Sequence, residues 1–306
     1  MHIIDNVHTA EQTFPNVVLT VGSFDGVHKG HQRIIHQLVD RAKEINGTPT
    51  LLTMNPHPRE FFSPNNIPNL LTSFDKKMAL LKEAGIEVVY IMPFNSETAA
   101  IKPDPFIRDI LVDRCHVRSL IVGHDCRFGK DALGDFSLLK SFSEEGGYDV
   151  QEIQPVLIEA ERVSSTLIRE RILAGDLPFA EHLLGRPYSI SGQVSSGRGI
   201  GQTIGFPTAN IHPYHTAIPA QGVYIAESII SGKCYPSAVN IGIAPTIRNE
   251  DITIESHILD FKGDLLGKDI EVLFHKRLRP EQKFLYKDAL IEQIGKDVQR
   301  VRSFFA

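Results

Sequence analysis

The run Gly22-Ser23-Phe24-Asp25-Gly26-Val27-His28-Lys29-Gly30-His31 constrains this chain more than any other ten residues. An apolar stretch at 17–21 precedes it, and Ile34, Ile35, Leu38, Val39, Ala42 and Ile45 follow at helical spacing. A strand that turns through glycines into a helix start aims free backbone N–H groups and the positive end of the helix dipole at one spot, which suits an anion. Gly22, Gly26 and Gly30 let the backbone approach a ligand closely, and His28 and His31 add two donors. The run therefore points to chemistry on a phosphate. A metal-binding histidine pair is the weaker reading, because no carboxylate sits at a suitable spacing.

Alternating signals surround this run. Strand-like segments at 17–21, 50–54, 88–92, 120–123 and 150–153 are interleaved with helical ones at 31–45, 74–84, 104–114, 135–145 and 166–174. Such alternation predicts a doubly wound α/β fold on a parallel sheet, with ligands outside the carboxyl ends of the strands. The pattern changes at Gly185-Arg186-Pro187. Short runs rich in Val, Ile, Tyr and Thr follow at 188–194, 223–230, 234–241, 252–259 and 270–274, and predict a small antiparallel β-barrel or sandwich. An amphipathic helix is expected from 280 to 304. We therefore expect two domains, 1–184 and 185–306, and two sites.

Bulk properties narrow the partners. A net charge of −5 over 306 residues disfavours a broad nucleic-acid face and leaves room for a local basic pocket. Three dispersed cysteines, with no CxxC pair, argue against a zinc site and a disulfide framework. The first 30 residues carry no signal-peptide core, and no apolar run approaches the ~18 residues of a membrane span. The expectation is a cytoplasmic protein acting on small molecules, without nucleic acid or membrane, as a monomer or weak homo-oligomer.

Three further segments accompany the first run. Asn55-Pro56-His57-Pro58 stiffens the end of the second strand and alone reads as a turn. In the Gly123–Lys130 stretch, Asp125 suits a base or ribose contact, and Arg127 and Lys130 suit phosphate. Ser164, Ser165 and Thr166 lead into a helix carrying Arg169; they read as a cap or as a polyphosphate cradle.

The second domain opens on Gly197, Gly199, Gly201 and Gly205, then Phe206-Pro207-Thr208-Ala209-Asn210. This is neither a Walker loop nor a dinucleotide fingerprint, though its glycines allow a backbone nest for phosphate. Thr208 and Asn210 share one side of an extended segment and are suitable oxygen ligands for magnesium; on these residues alone a polar strand end is the simpler reading. Strand alternation puts Thr253, Glu255 and His257 on one face, where Glu255 is either a general base or a solvated carboxylate.

Together, G-x-F-D-G-x-H-x-G-H and the later S-S-T-x-I-R resemble the HxGH nucleotidyltransferases. The Asn55–Pro58 and Gly123–Gly129 loops narrow this to the adenylyltransferase half of the bacterial bifunctional riboflavin kinase/FAD synthetases. The G-F-P-T-A-N run, Gly222-Val223-Tyr224, Val239-Asn240-Ile241-Gly242 with Pro245-Thr246, Glu255 and Leu278-Arg279-Pro280-Glu281 resemble the kinase half. The resemblance implies a nucleotidyltransferase domain, then a β-barrel with a terminal helix, together converting riboflavin to FMN and FMN to FAD with ATP and Mg2+. It implies His28 and His31 as catalytic donors to phosphate oxygens, and ATP contacts from Gly22, Phe24, Asp25, Gly30, Asp125, Arg127, Ser164, Ser165, Thr166 and Arg169. Flavin contacts would come from Asn55, Pro56, His57, Pro58, Phe62 and Phe128. In the kinase it implies ATP at Gly197, Gly199, Gly201, Gly205, Pro207, Thr208 and Asn210, the last two also holding magnesium, and Glu255 as catalytic base. A monofunctional FMN adenylyltransferase with a flavin-docking barrel, and a flavin-sensing binding protein, are the alternatives.

Overall fold

The computed structural model describes residues 1–63, 69–197, 199–214, 217–245 and 250–306; Arg198 and Thr246 of the second-domain motifs lie outside them. The chain forms two compact units, Met1–Pro68 with Phe74–Ser164, and Asn69–Ser73 with Ser165–Ala306.

The first unit is built on six parallel strands: β1 (His2–Ile4), β2 (Val17–Val21), β3 (Pro49–Asn55), β4 (Val88–Pro93), β5 (Val117–Gly123) and β6 (Asp149–Ile153), in the order β1-β4-β3-β2-β5-β6. Central strands covered on both faces read as continuous apolar runs, and Val17, Val18, Leu19, Leu51, Leu52, Val88 and Val89 are buried. Helix α1 (Lys29–Glu44) buries Ile35, Leu38 and Ala42 on its core side. Helices α2 (Pro58–Phe62) and α3 (Phe74–Glu83) follow β3. The helix at Phe106–Arg114 is wound as a π-helix. The expected helix at 135–145 is divided at Phe142 into Phe136–Ser141 and Ser143–Gly146. A two-stranded ribbon, β7 (Leu157–Ile158) and β8 (Glu161–Arg162), ends the unit.

The second unit is a closed antiparallel barrel of β9 (Tyr188–Ser195), β10 (Ala209–Pro213), β11 (Gly222–Ile230), β12 (Lys233–Pro245), β13 (Glu250–Ile258) and β14 (Asp269–Arg279), in the order β10-β13-β12-β11-β14-β9. Closure leaves no strand edge open to another chain. The β11–β12 turn, Ser231-Gly232, has φ of 49° and 79°, the twist a two-residue hairpin needs. The helices Ser165–Ala174 and Leu177–Leu184 belong to this unit.

One expectation is corrected here. The terminal helix runs over Lys287–Phe305, not from 280. In the segment before it Gln282 and Phe284 line a cleft, the Pro280 carbonyl accepts from Arg279 Nη1 at 3.1 Å, and Leu285 is 93% exposed. The glycine run at 197–205 also holds a single helical turn, Ile200–Thr203, entered through left-handed Gly199. Val301 packs the terminal helix against Ile225, Ala238 and Leu259. Asp297 anchors it, accepting from Arg279 Nε at 2.9 Å and Nη2 at 2.8 Å, and from Gln293 Nε2 at 3.0 Å.

Candidate active sites

In the first unit the sheet order reverses between β2 and β5, so the loops that leave these two strands flank the crevice where doubly wound folds bind ligands. The loop after β2 is the glycine–histidine run. Phe24 (φ 49°), Gly26 (φ 85°) and Val27 (φ 40°) all lie in the left-handed region. For phenylalanine and β-branched valine that conformation costs on the order of 1–3 kcal/mol each, so neighbouring contacts must hold it.

One contact is the N-cap of α1. His28, only 5% exposed, accepts from the His31 N–H through Nδ1 at 3.3 Å. An accepting Nδ1 puts the proton of the neutral ring on Nε2, the atom that then donates to an anion. The two imidazoles stack at 3.6 Å and 15°, and Phe24 lies 4.6 Å from His31. A Cβ on Gly30 would stand 3.1 Å from two His28 ring atoms and 3.6 Å from the Val163 carbonyl. Gly30 thus admits the stacked pair, and the 163–164 segment lies beside the start of α1. Asp25 is buried in the same turn.

Across the crevice, Asp125 is bound by Arg162 of β8, a residue the sequence reading passed over, and His124 Nδ1 stands 3.7 Å from its carboxylate. Arg127 is exposed, 3.9 Å from Asp135. Phe128 is buried and packs on Phe106 at 5.3 Å, beneath the loop. At the end of β3, His57 caps α2 in reciprocal bonds with Glu60, accepting from Arg59 N at 3.1 Å while its own N–H donates to Glu60 Oε1 at 3.2 Å. Phe62 is 66% exposed, in edge-on contact with Phe61 and Phe94. Ser164 closes the first unit; Ser165, Thr166 and Arg169 begin the helix of the second, where Arg169 Nε donates to the Asn69 carbonyl at 2.7 Å.

The second unit holds a cleft of about 1010 Å³, at the upper end of the range for small-molecule and cofactor sites. Gly197, Gly199, Gly201, Thr208, Asn210 and Glu255 all line it. Alternation buries Ile254, Ser256 and Ile258 and leaves Thr253, Glu255 and His257 half-buried on the other face; these three, with Ile254, line the cleft. Glu255 is paired in register with Asn210 on β10 and with Asn240 on β12, so three polar side chains cross three adjacent strands. Asn240 carried no role from sequence, although it sits in the N-I-G motif. His257 Nδ1 donates to the Pro207 carbonyl at 2.8 Å, and so ties the segment before Thr208 to the strand of Glu255. The glycine loop folds on itself, with Phe206 N–H donating to the Gly201 carbonyl at 2.8 Å. Pro207 leads into Thr208; Gly205 is left-handed at φ 87°. Phe284, Leu290 and Ile294 give the cleft an apolar end.

Thr208 and Asn210 offer hard oxygen donors, and among the described residues no group of three His, Cys, Asp or Glu could cage a metal. The two hard oxygen donors fit Mg2+, which is commonly held by few protein oxygens together with substrate phosphates. A Cβ on Gly197 would fall 2.0 Å from Asn210 Nδ2 and push this amide aside. Gly197→Ala is therefore expected to slow reaction in this cleft by about tenfold or more while the first unit is unaffected, measured by assaying each unit's activity in one preparation.

Two family profiles match the chain: FAD synthetase over residues 10–167 and riboflavin kinase over residues 184–305. The bifunctional riboflavin kinase/FMN adenylyltransferase of Haemophilus influenzae is 38% identical over 306 residues, covering 100% of this chain and 99% of that one. That of Escherichia coli K12 is 38% identical over 307 residues, covering 100% and 98%. A solved structure from Streptococcus pneumoniae, described as a macrolide-efflux protein, superposes with a TM-score of 0.89 at 29% identity over 98% of both chains. Among the described residues of this chain no helix is long and apolar enough to cross a membrane.

Proposed function

The chain belongs to the bifunctional riboflavin kinase/FMN adenylyltransferase family, and from that premise we propose how its residues divide two reactions. It phosphorylates riboflavin to FMN and adenylylates FMN to FAD, with ATP in both steps. We assign adenylyl transfer to 1–184 and phosphorylation to 185–306. The observation that carries the kinase assignment is the row Asn210–Glu255–Asn240 across the cleft.

In the barrel, Glu255 takes the proton from the ribityl 5′-hydroxyl as that oxygen attacks the γ-phosphorus of ATP, and ADP leaves. Asn240 and Asn210, on either side, orient the carboxylate and the phosphates. Gly197, Gly199, Gly201 and Gly205 wrap the triphosphate, with Pro207 fixing the exit of the loop. Thr208 and Asn210 would hold Mg2+, which neutralises developing phosphate charge when bound.

In the 1–184 domain, a phosphate oxygen of FMN attacks the α-phosphorus of ATP and pyrophosphate leaves. No protein nucleophile is required; positioning and charge stabilisation carry the step. His28 and His31 donate to the α- and β-phosphate oxygens, with backbone from Gly22, Phe24, Asp25 and Gly30 around them. Asp125, held by Arg162, seats the nucleoside; Arg127, Ser164, Ser165, Thr166 and Arg169 serve the polyphosphate. Asn55, Pro56, His57 and Pro58 shape the flavin side, with Phe62 as its exposed ring and Phe128 as support beneath.

Incubating the protein with riboflavin and MgATP, followed by chromatography, is expected to give FMN and then FAD. FAD from added FMN but nothing from riboflavin would mean that the barrel only docks flavin; no product at all would mean a binding protein. Chelating Mg2+ with EDTA is expected to halt FMN formation, and added Mg2+ to restore it.

A further inference from the structure

We propose that Lys77 is a positioning residue for adenylyl transfer, its ammonium tying the carbonyl of Ser23 to the end of β3 and so holding the strained turn that carries His28 and His31. The inference rests on locating that reaction at the histidine turn.

Lys77 lies on α3, among residues that serve the core: Met78 and Leu81 are buried beside it. Yet it is itself only 9% exposed. Its Nζ donates to Ser23 O at 3.2 Å and to Thr53 Oγ1 at 3.3 Å, and lies 5.7 Å from the Phe74 ring centroid. Thr53 Oγ1 in turn donates to Ser23 O at 3.5 Å. Burial pushes the lysine down to about 8, against the pull of the Asp25 and Glu60 carboxylates. For stability alone an apolar side chain would serve better at such a position, since a desolvated ammonium is costly unless its bonds are needed. The bonds it makes end on the residue before Phe24, the first residue of the turn with positive φ. From there the contacts run on through the Phe24 ring to His31, and from His31 to His28. A cation fixed under the turn also raises the local positive potential for anionic ligands.

The test uses full-length K77M and K77R proteins. Methionine keeps the length of the side chain without its charge; arginine keeps the charge. For each, kcat and KM of FMN adenylylation are measured separately, with riboflavin phosphorylation and a thermal melt on the same preparation. K77M is expected to lower kcat for FAD synthesis about ten- to hundredfold at saturating substrates, with smaller changes in KM. Riboflavin phosphorylation is expected to stay within about twofold, and K77R to recover most of the loss. An unchanged kcat in K77M overturns the proposal. So does a parallel fall of both activities with the melting temperature, or a K77R protein no better than K77M. The variant with both His28 and His31 replaced by Ala separates the two layers. If that variant still makes FAD, the location of the reaction is wrong; if it fails while K77M works normally, only the role of Lys77 falls.

Discussion

Glu255→Ala protein is expected to lose riboflavin phosphorylation by about 10²- to 10⁴-fold, the range a positioned general base supplies, and to keep FMN adenylylation within about twofold. Register places Glu255 between Asn210 and Asn240, and strand alternation turns it into the cleft and away from the barrel core. Removing its carboxylate leaves the barrel interior intact, because Ile254 and Ser256, its buried neighbours, are untouched. The fold should therefore survive, and the loss should sit in kcat. Glu255→Gln is the sharper variant: it keeps shape and hydrogen bonding while removing the basicity, and is expected to be nearly as inactive. A glutamine variant with wild-type kcat would remove Glu255 from the base role.

The reverse result is expected for the first unit. Replacing both His28 and His31 by Ala should lower FMN adenylylation by about 10³-fold or more, since losing one donor aimed at developing charge already costs about 10²- to 10³-fold, while FMN formation continues. Part of any His28→Ala effect is structural, because Nδ1 caps α1, and losing an N-cap costs on the order of 1 kcal/mol. His28→Asn separates the two contributions: asparagine caps a helix well but places no donor where Nε2 stood. It is expected to melt near wild type and remain poorly active. A His28→Asn protein with full adenylylation would make the histidine a cap alone.

The physics explains which features could be read from the chain. Strands buried on both faces announce themselves as apolar runs, so β2, β3 and β4 lie where the pattern put them. Edge strand β1 has three residues, His2–Ile4, two of them exposed, and carries no such signal. Strand β10 was legible only as an extended segment carrying Thr208 and Asn210; its pairing with β9 and β13 closes the barrel, and nothing local encodes that. The terminal helix begins late, at Lys287, and in the segment before it Glu281, Gln282 and Phe284 line the cleft, tertiary placements that local helix propensity does not encode.

The sites divide in the same way. The glycine–histidine run and the P-T-A-N run are local constellations, visible in a few consecutive residues. Asn240, Arg162 and Lys77 owe their places to long-range packing. Asn240 meets Glu255 across two strands, Arg162 meets Asp125 across 37 residues, and Lys77 reaches Ser23 across 54. In sequence Lys77 is one charged position in an amphipathic helix, indistinguishable from Lys76 beside it.

Mixing the two crippled proteins tests the central claim most directly. Glu255→Ala protein alone, given riboflavin and MgATP, should form neither FMN nor FAD; the double-histidine variant alone should stop at FMN. Combined in equal amounts, they are expected to produce FAD, each molecule supplying the reaction the other has lost. A mixture that accumulates FMN and never yields FAD, with both proteins folded, would contradict two separable centres in one polypeptide.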